Sequence, residues 1–339
     1  MHRGEYVEPT KETLAAYLLR WLPTAEARGL RPSTLVGYRL MIEKQIIPRL
    51  GSVPMQRLAP VDLNGMYAEL LSSGHRQREG GLSPRTVRYI HTILRKALSD
   101  AVRWGIVTRN VADSADPPST RAAEVSARKS RTFWNEQQVE RFLGEAKQHR
   151  LHAAFHLATT TGMRRGEVLG LRWRDLDLDG QRLRVEQTLI APRYQMQFSE
   201  PKTDQSRRSI DLDPETVTVL REHRKRQLED RLAFGRGYAD SELVFRREDG
   251  EPVVPALFSL AFKQLLKTAR LPEIRLRDLR HTHAALLGKA GVPPKVVQER
   301  LGHHSAGFTL DNYGGSYPSQ HREAAEAVAA LVRGSTKPA

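Results

Sequence analysis

Apolar residues in the first hundred positions recur at helical spacing. Leu14, Tyr17, Leu18, Trp21 and Leu22 fall on one face of a helix. Pro23 is expected to close that helix, because an interior proline removes a donor and clashes with the turn before it. The clearest helical stretch is SPRTVRYIHTILRKALSDAVRWG. Ser83 suits an N-cap and Pro84 a first turn, while Val87, Ile90, Leu94, Ala97, Leu98 and Ala101 make one apolar face. Arg85, Arg88, Arg95, Lys96 and Arg103 lie mostly off that face. Shorter helices are predicted over Ser33–Ile47 and Pro60–Leu71. Residues 11–108 therefore read as a four-helix unit with basic outer faces, preceded by a short extension at 1–10.

Periodicity stops over 109–131, where Pro117, Pro118, serines and scattered basic residues predict a linker. A second domain begins at NEQQVERFL, in which Asn135 and Gln138 have the spacing of a capping box. Helices are predicted over 135–148 and 151–160. QRLRVEQTLI then alternates as a strand, MQFSEPKT follows, and RRSIDLD reads as another strand. Helices resume after Pro214, the last over 319–333 with Ala325, Val328, Leu331 and Val332 on one side. The expected fold is mainly α with a small antiparallel β-sheet, and the second domain is α+β.

Composition sharpens this. A chain of 339 residues is long enough for two domains. No apolar run approaches a membrane span, and MHRGEYVEPTKET lacks the apolar middle of a secretory signal. The absence of cysteine excludes disulfides, thiolate metal sites and a cysteine nucleophile, and fits a reducing cytoplasm. Lys plus Arg number 54 against 39 acidic residues, a formal net charge of +15. That balance points to a polyanionic partner, nucleic acid first.

Four segments carry candidate chemistry. In TTGMRRGEVLGLRW, Gly162 reads as a turn that places Arg164 and Arg165 near a helix N-terminus, with Glu167 able to pair with an arginine. In SEPKTDQSRR, Lys202 is expected on a hairpin tip. In RLRDLRHTHAALLGKAGV, Arg277 and Arg280 are three apart and share a helical face. In LGHHSAGFTLDNYGG, His303 lies just past a helix end and Tyr313 precedes two glycines. A zinc site from His281, His283, His303 and His304 is discounted, since no cysteine and no His-Glu-x-x-His spacing accompanies them. Taken singly, a solvated helix start, a solvated turn lysine and a packed tyrosine are the ordinary readings of the first, second and fourth segments.

Together the segments resemble the tyrosine recombinase, or phage integrase, family: T-G-M-R-R-G-E at 161–167, P-K-T at 201–203, D-L-R-H-T at 278–282, L-G-H at 301–303 and T-L-D-N-Y at 309–313. The resemblance implies a SAM-like core-binding domain at 11–108, a catalytic domain at 132–317 and a tail at 318–339 that either packs on its own domain or, as often in that family and as favoured here, docks on a neighbouring protomer. It implies that Tyr313 attacks the scissile phosphate and forms a 3′-phosphotyrosine. Arg164 and Arg280 would bind the non-bridging oxygens, Lys202 would protonate the leaving 5′-oxygen, His303 would hydrogen-bond the phosphate, and Glu167 would brace the site. One position departs from the family pattern: Arg277 stands where a histidine is usual. Arginine cannot act as a base, which leaves His303 as the leading acceptor for the tyrosine proton. No metal or cofactor is implied. The implied partners are double-stranded DNA carrying a specific site, three further protomers in a homotetramer on that DNA, and DNA-bending accessory proteins. Arg85, Arg88, Arg95 and Lys96 are the expected DNA contacts of the helical half. The implied function is site-specific recombination by an integrase of a phage or other mobile element, acting at the nucleoid in the cytoplasm. The alternatives are a type IB topoisomerase, a chromosome-dimer resolvase and a DNA-binding protein without catalysis. About ten residues precede the first helix, so either an arm-binding module is absent or the gene start was placed late.

Overall fold

The structure, a computed structural model, describes residues 8–74, 80–122, 125, 133–191, 195–200, 207–302, 326 and 328–329. The chain divides into two compact units, Met1–Arg131 and Thr132–Ala339. Among the described residues no helix is long and apolar enough to cross a membrane.

The first unit is helical. Helix α1 spans Leu14–Ala27, with the Thr13 side chain accepting from the amide of Ala16. Helix α2, Pro32–Met41, runs through a π-helical turn, Ile42–Ile46, into α3, Ile47–Leu50. Helices α4, Pro60–Ser73, and α5, Pro84–Arg103, complete the bundle, and Ser83 caps α5 as expected.

Pro23 does not end α1, which continues to Ala27. The extra turn buries Ala25 and brings Arg28 to Asp100 at 2.7 Å. Tertiary contacts thus outweigh the hydrogen bond that proline cannot make. Asp100 is 2% exposed. It accepts from Trp21 Nε1 at 2.7 Å and from both Arg28 Nη atoms at 3.2 and 2.7 Å, and it also pairs with Arg103. Burial pushes its carboxyl up, but the hydrogen bonds from Arg28 and Trp21 outweigh burial and hold it below the usual value.

The segment expected as a linker from residue 109 is structured in its first part. Val111–Ser114 form a 3₁₀ turn, and Val111 and Ala112 join the core of the helical unit. Asn110 Nδ2 donates to the Arg95 carbonyl and to Ser99 Oγ, both at 2.9 Å. The Asp116 amide donates to Asn64 Oδ1 at 2.8 Å. Arg95 pairs with Asp113 at 2.6 Å, and Arg88 donates to the Pro118 carbonyl at 2.6 Å. Side-chain bonds of this kind leave no periodic trace in sequence. Two of the four cations assigned to DNA therefore hold this strap. Lys96 lies 5.9 Å from the Tyr38 ring centroid, and Arg85 is exposed.

The second unit starts with α6, Glu136–Ala146, whose Asn135/Gln138 capping box forms as its spacing predicts. It continues through α7, His152–Thr161, α8, Arg165–Leu169, α9, Pro214–Phe234, α10, Pro255–Thr268, α11, Asp278–Lys289, and α12, Pro294–Leu301. Its core is aromatic: Phe155 stacks on Phe258 with centroids 4.6 Å apart, and Phe142 meets Phe262 edge-on at 5.2 Å.

Two antiparallel sheets replace the single sheet expected. β1, Leu176–Asp177, β2, Arg182–Val185, and β5, Arg208–Asp211, make one in the order β1-β2-β5. β3, Thr188–Ile190, and β4, Gln197–Ser199, make the other. The alternating run 181–190 is thus broken after Val185, where Gln187 Nε2 donates to the Gly170 carbonyl at 2.8 Å instead of facing a strand. β3 packs on α8 because Gly166 has no side chain; a Cβ there would lie 2.4 Å from Thr188 Oγ1. β4 and β5, the described strands on either side of Lys202, belong to different sheets, and Lys202 itself lies outside the described residues.

Replacing Asp100 by alanine is expected to destabilise the helical unit by about 2–3 kcal/mol, because the buried Trp21 N–H loses its acceptor. Urea unfolding of the full chain measures this. The carboxylate's contribution is present above its ordinary value of 3.8 and is lost as pH falls through the lower folded value. The variant's stability should therefore depend less on pH in acid.

Candidate functional site

Helix α7 ends at Gly162, whose φ of +64° favours glycine. A Cβ there would also lie 2.6 Å from Leu301 Cδ2 and 2.8 Å from His283 Cδ2. Two residues on, Arg164 stands at the N-cap of α8. Glu167, in the first turn, accepts from the Arg164 amide at 2.8 Å and from Arg164 Nη1 at 2.7 Å. The same carboxylate accepts from Arg208 Nη2 on β5 at 2.8 Å. The Arg208 and Glu167 side chains are each 6% exposed. Burial raises the Glu167 pKa, but the guanidiniums of Arg208 and Arg164 outweigh it and hold the group at about 2. Glu167 is therefore a fixed anion that orients Arg164.

The C-terminal end of α12 gathers the arginines. Arg208 Nε donates to the Arg300 carbonyl at 2.8 Å, Arg280 Nη2 to the Leu301 carbonyl, and Arg164 Nη2 to the Gly302 carbonyl at 3.2 Å. These carbonyls lack intrahelical partners and lie at the negative end of the helix dipole, which suits guanidinium donors. Arg280 also donates through Nη1 to the Gly162 carbonyl at 2.9 Å. Arg164 and Arg280, far apart in sequence, thus meet at one helix end. Arg280 is 8% exposed, whereas the Arg164 side chain is 45% exposed.

Other predicted residues part company. Arg277, at the N-cap of α11, has a side chain 69% exposed, with Nε 3.8 Å from Asp278. The helical face expected to hold Arg277 and Arg280 together is therefore split: one cation is outside and one inside. Arg165 is drawn to α10, donating to Ser259 Oγ at 2.9 Å. Lys202, His303, His304 and Tyr313 lie outside the described residues. Of the helix expected over 319–333, Glu326, Val328 and Ala329 are described and are helical.

Arg208 is the site residue that the sequence reading missed. Its signal is the alternation of RRSIDL, which puts Arg208 on the same face of β5 as the buried Ile210. An arginine on an inward face needs a buried acceptor, and Glu167 is that acceptor.

Two sequence profiles match the chain: the phage integrase family over residues 132–319, and the phage integrase N-terminal SAM-like domain over residues 13–71. The chain is 31% identical to the ICEBs1 integrase of Bacillus subtilis, covering 87% of this chain and 77% of that protein. It is 29% identical to the tyrosine recombinase XerC-like protein of Caldanaerobacter subterraneus subsp. tengcongensis, covering 96% and 85%. Among solved structures, it is similar to the Tn1549 transposon integrase in complex with a circular intermediate DNA. There the TM-score is 0.74 at 20% identity, over 94% of this chain and 99% of that one. It is also similar to a lambda integrase tetramer bound to a Holliday junction, with a TM-score of 0.67 at 20% identity, over 90% and 79%.

Arg208→Met is expected to cost about 3–5 kcal/mol, because it strips a buried carboxylate of its buried partner. Glu167→Gln tests the same pair by acid titration. Glu167 stabilises the fold fully above its ordinary value of 4.5 and loses that contribution as pH falls towards about 2. That shift corresponds to about 3 kcal/mol. Melting temperatures of the wild type and Glu167→Gln should therefore converge between pH 4.5 and pH 2.

Proposed function

The chain belongs to the phage integrase family and is a site-specific DNA recombinase, and from that premise we propose how its residues divide the work. The Tyr313 hydroxyl attacks the scissile phosphorus. The bond to the 5′-oxygen breaks, Lys202 protonates that oxygen, and a 3′-phosphotyrosine remains. Attack by a 5′-hydroxyl of another strand reverses the step and joins new partners, and the phosphodiester energy is kept in the covalent bond. Arg164 and Arg280 neutralise the charge that develops on the non-bridging oxygens, a task for which planar bidentate donors are suited. His303 hydrogen-bonds the phosphate and takes the tyrosine proton, since Arg277 cannot accept one. Arg277 contributes positive field, which favours the tyrosinate.

The observation that carries this proposal is the meeting of Arg164 and Arg280 on the last carbonyls of α12, directly before His303 in the chain.

On the same footing, residues 11–108 act as the core-binding domain, 132–317 as the catalytic domain and 318–339 as a tail that docks on a neighbouring protomer. With Arg88 and Arg95 engaged by the strap, Arg85 and Lys96 are the better-placed phosphate contacts of α5. The working assembly is a homotetramer on two copies of a specific DNA site, in the cytoplasm at the nucleoid, with DNA-bending proteins in attendance. The lambda integrase tetramer on a Holliday junction supports that stoichiometry. The integrases of ICEBs1 and of Mycobacterium phage D29 among its relatives support a mobile-element or viral-integration role.

Incubation with fragmented genomic DNA of the source organism is expected to give covalent protein–DNA adducts that survive SDS and map to one short sequence. Tyr313→Phe should give none while still binding DNA. Arg164→Ala and Arg280→Ala should each slow adduct formation by roughly 10²–10³-fold. Adducts spread over all sequences would instead indicate site-independent relaxation.

A further inference from the structure

Arg300, in the last turn of α12, is not one of the residues given a role above, yet every nitrogen of its guanidinium is engaged. Nε donates to His283 Nε2 on α11 at 3.3 Å. Nη1 donates to the Asp211 carbonyl on β5 at 3.0 Å, and Nη2 to the Thr160 carbonyl on α7 at 3.2 Å. One side chain thus ties the end of α12 to three other elements. Its own carbonyl, in turn, accepts from Arg208.

All three acceptors are neutral. Two are backbone carbonyls. The third is the His283 ring, which burial, reinforced by the Arg300 cation, pushes down to about 3. A cation bonded in three directions to neutral acceptors fixes geometry more than it neutralises charge. The geometry that it fixes is that of Arg280. Arg300 bridges the end of α7, at the Thr160 carbonyl, to the end of α12. Arg280 bridges the same two ends, from the Gly162 carbonyl to the Leu301 carbonyl. His283, the partner of Arg300, also packs on Gly162, leaving no room for a Cβ there.

Resting on the strand-cleavage chemistry proposed above, we infer that Arg300, seated on His283, is a positioning residue for Arg280: it holds the ends of α7 and α12 at the spacing that presents the Arg280 guanidinium to a phosphate. It touches no reacting atom.

The test is single-turnover cleavage of site DNA at saturating protein, measured beside DNA affinity and thermal melting. Arg300→Met is expected to slow cleavage by roughly ten- to a hundredfold, the scale of an ångström misplacement, with DNA affinity unchanged. Arg300→Lys keeps the charge but cannot span three acceptors, so it should be nearly as slow. Near-wild-type cleavage by the lysine variant would overturn the inference. Combined with Arg280→Ala, the Arg300→Met substitution should cost little more than Arg280→Ala alone, because both act through one group. Fully multiplicative losses would overturn it. A crystal structure of Arg300→Lys without DNA supplies a readout that needs no reaction. Arg280 should be displaced from between the Gly162 and Leu301 carbonyls, and an unmoved Arg280 would overturn the proposal. Should the wild type form no adduct, the cleavage chemistry falls, and the position of Arg280 in that crystal structure still decides the role of Arg300.

Discussion

A helix ends in carbonyls that its own backbone leaves unpaired, and they must find donors elsewhere. At the end of α12 those donors are guanidiniums from β5, α11 and the start of α8. The rest of the second unit can be understood from that meeting. Arg208 must point inward from β5, so β5 pairs with β2 and places Arg208 on the same face as Ile210. Arg164 must stand at the start of α8, so α7 turns sharply at Gly162. Arg280 must reach between two helix ends, so α11 lies against α7, with Thr282 and His283 buried.

Such a gathering of cations is costly without a counter-charge. Glu167 supplies the only buried carboxylate that the described contacts give to Arg164 and Arg208. Its burial is tolerated because two guanidiniums and a backbone amide surround it. Arg280 and Arg300 bond to carbonyls and to a neutral ring. The cluster retains excess positive charge over Glu167, the condition in which a doubly bonded phosphate anion is attracted and held. The long-range basic balance of the chain, with 54 Lys and Arg against 39 acidic residues, acts in the same direction.

Much of this was legible in the sequence. Helix positions followed from apolar spacing and caps, as at Ser83 and at Asn135 with Gln138. Arg164, Glu167 and Arg280 could be picked out because their motifs have a fixed order. What the sequence did not disclose were long-range choices. Pro23 was overridden by Asp100, a partner 77 positions away. The strap over 110–118 is held by side-chain bonds without a period. The split into two sheets depends on Gln187 finding the Gly170 carbonyl. Arg208 and Arg300 carry no motif, and three of their acceptors are backbone carbonyls, which no residue letter records.

That last property has an evolutionary side. A carbonyl oxygen is an acceptor that no single substitution deletes. The residues numbered 160, 211 and 301 can drift in side chain while still offering the same oxygen to the same guanidinium. Glycine is the exception at Gly162 and Gly302, where a left-handed φ sets the direction of the chain. Lineages descending from this enzyme can therefore vary much of the acceptor side of the cluster at little cost. They are far less free to insert or delete a residue there, since a one-residue slip would carry every oxygen away from its donor.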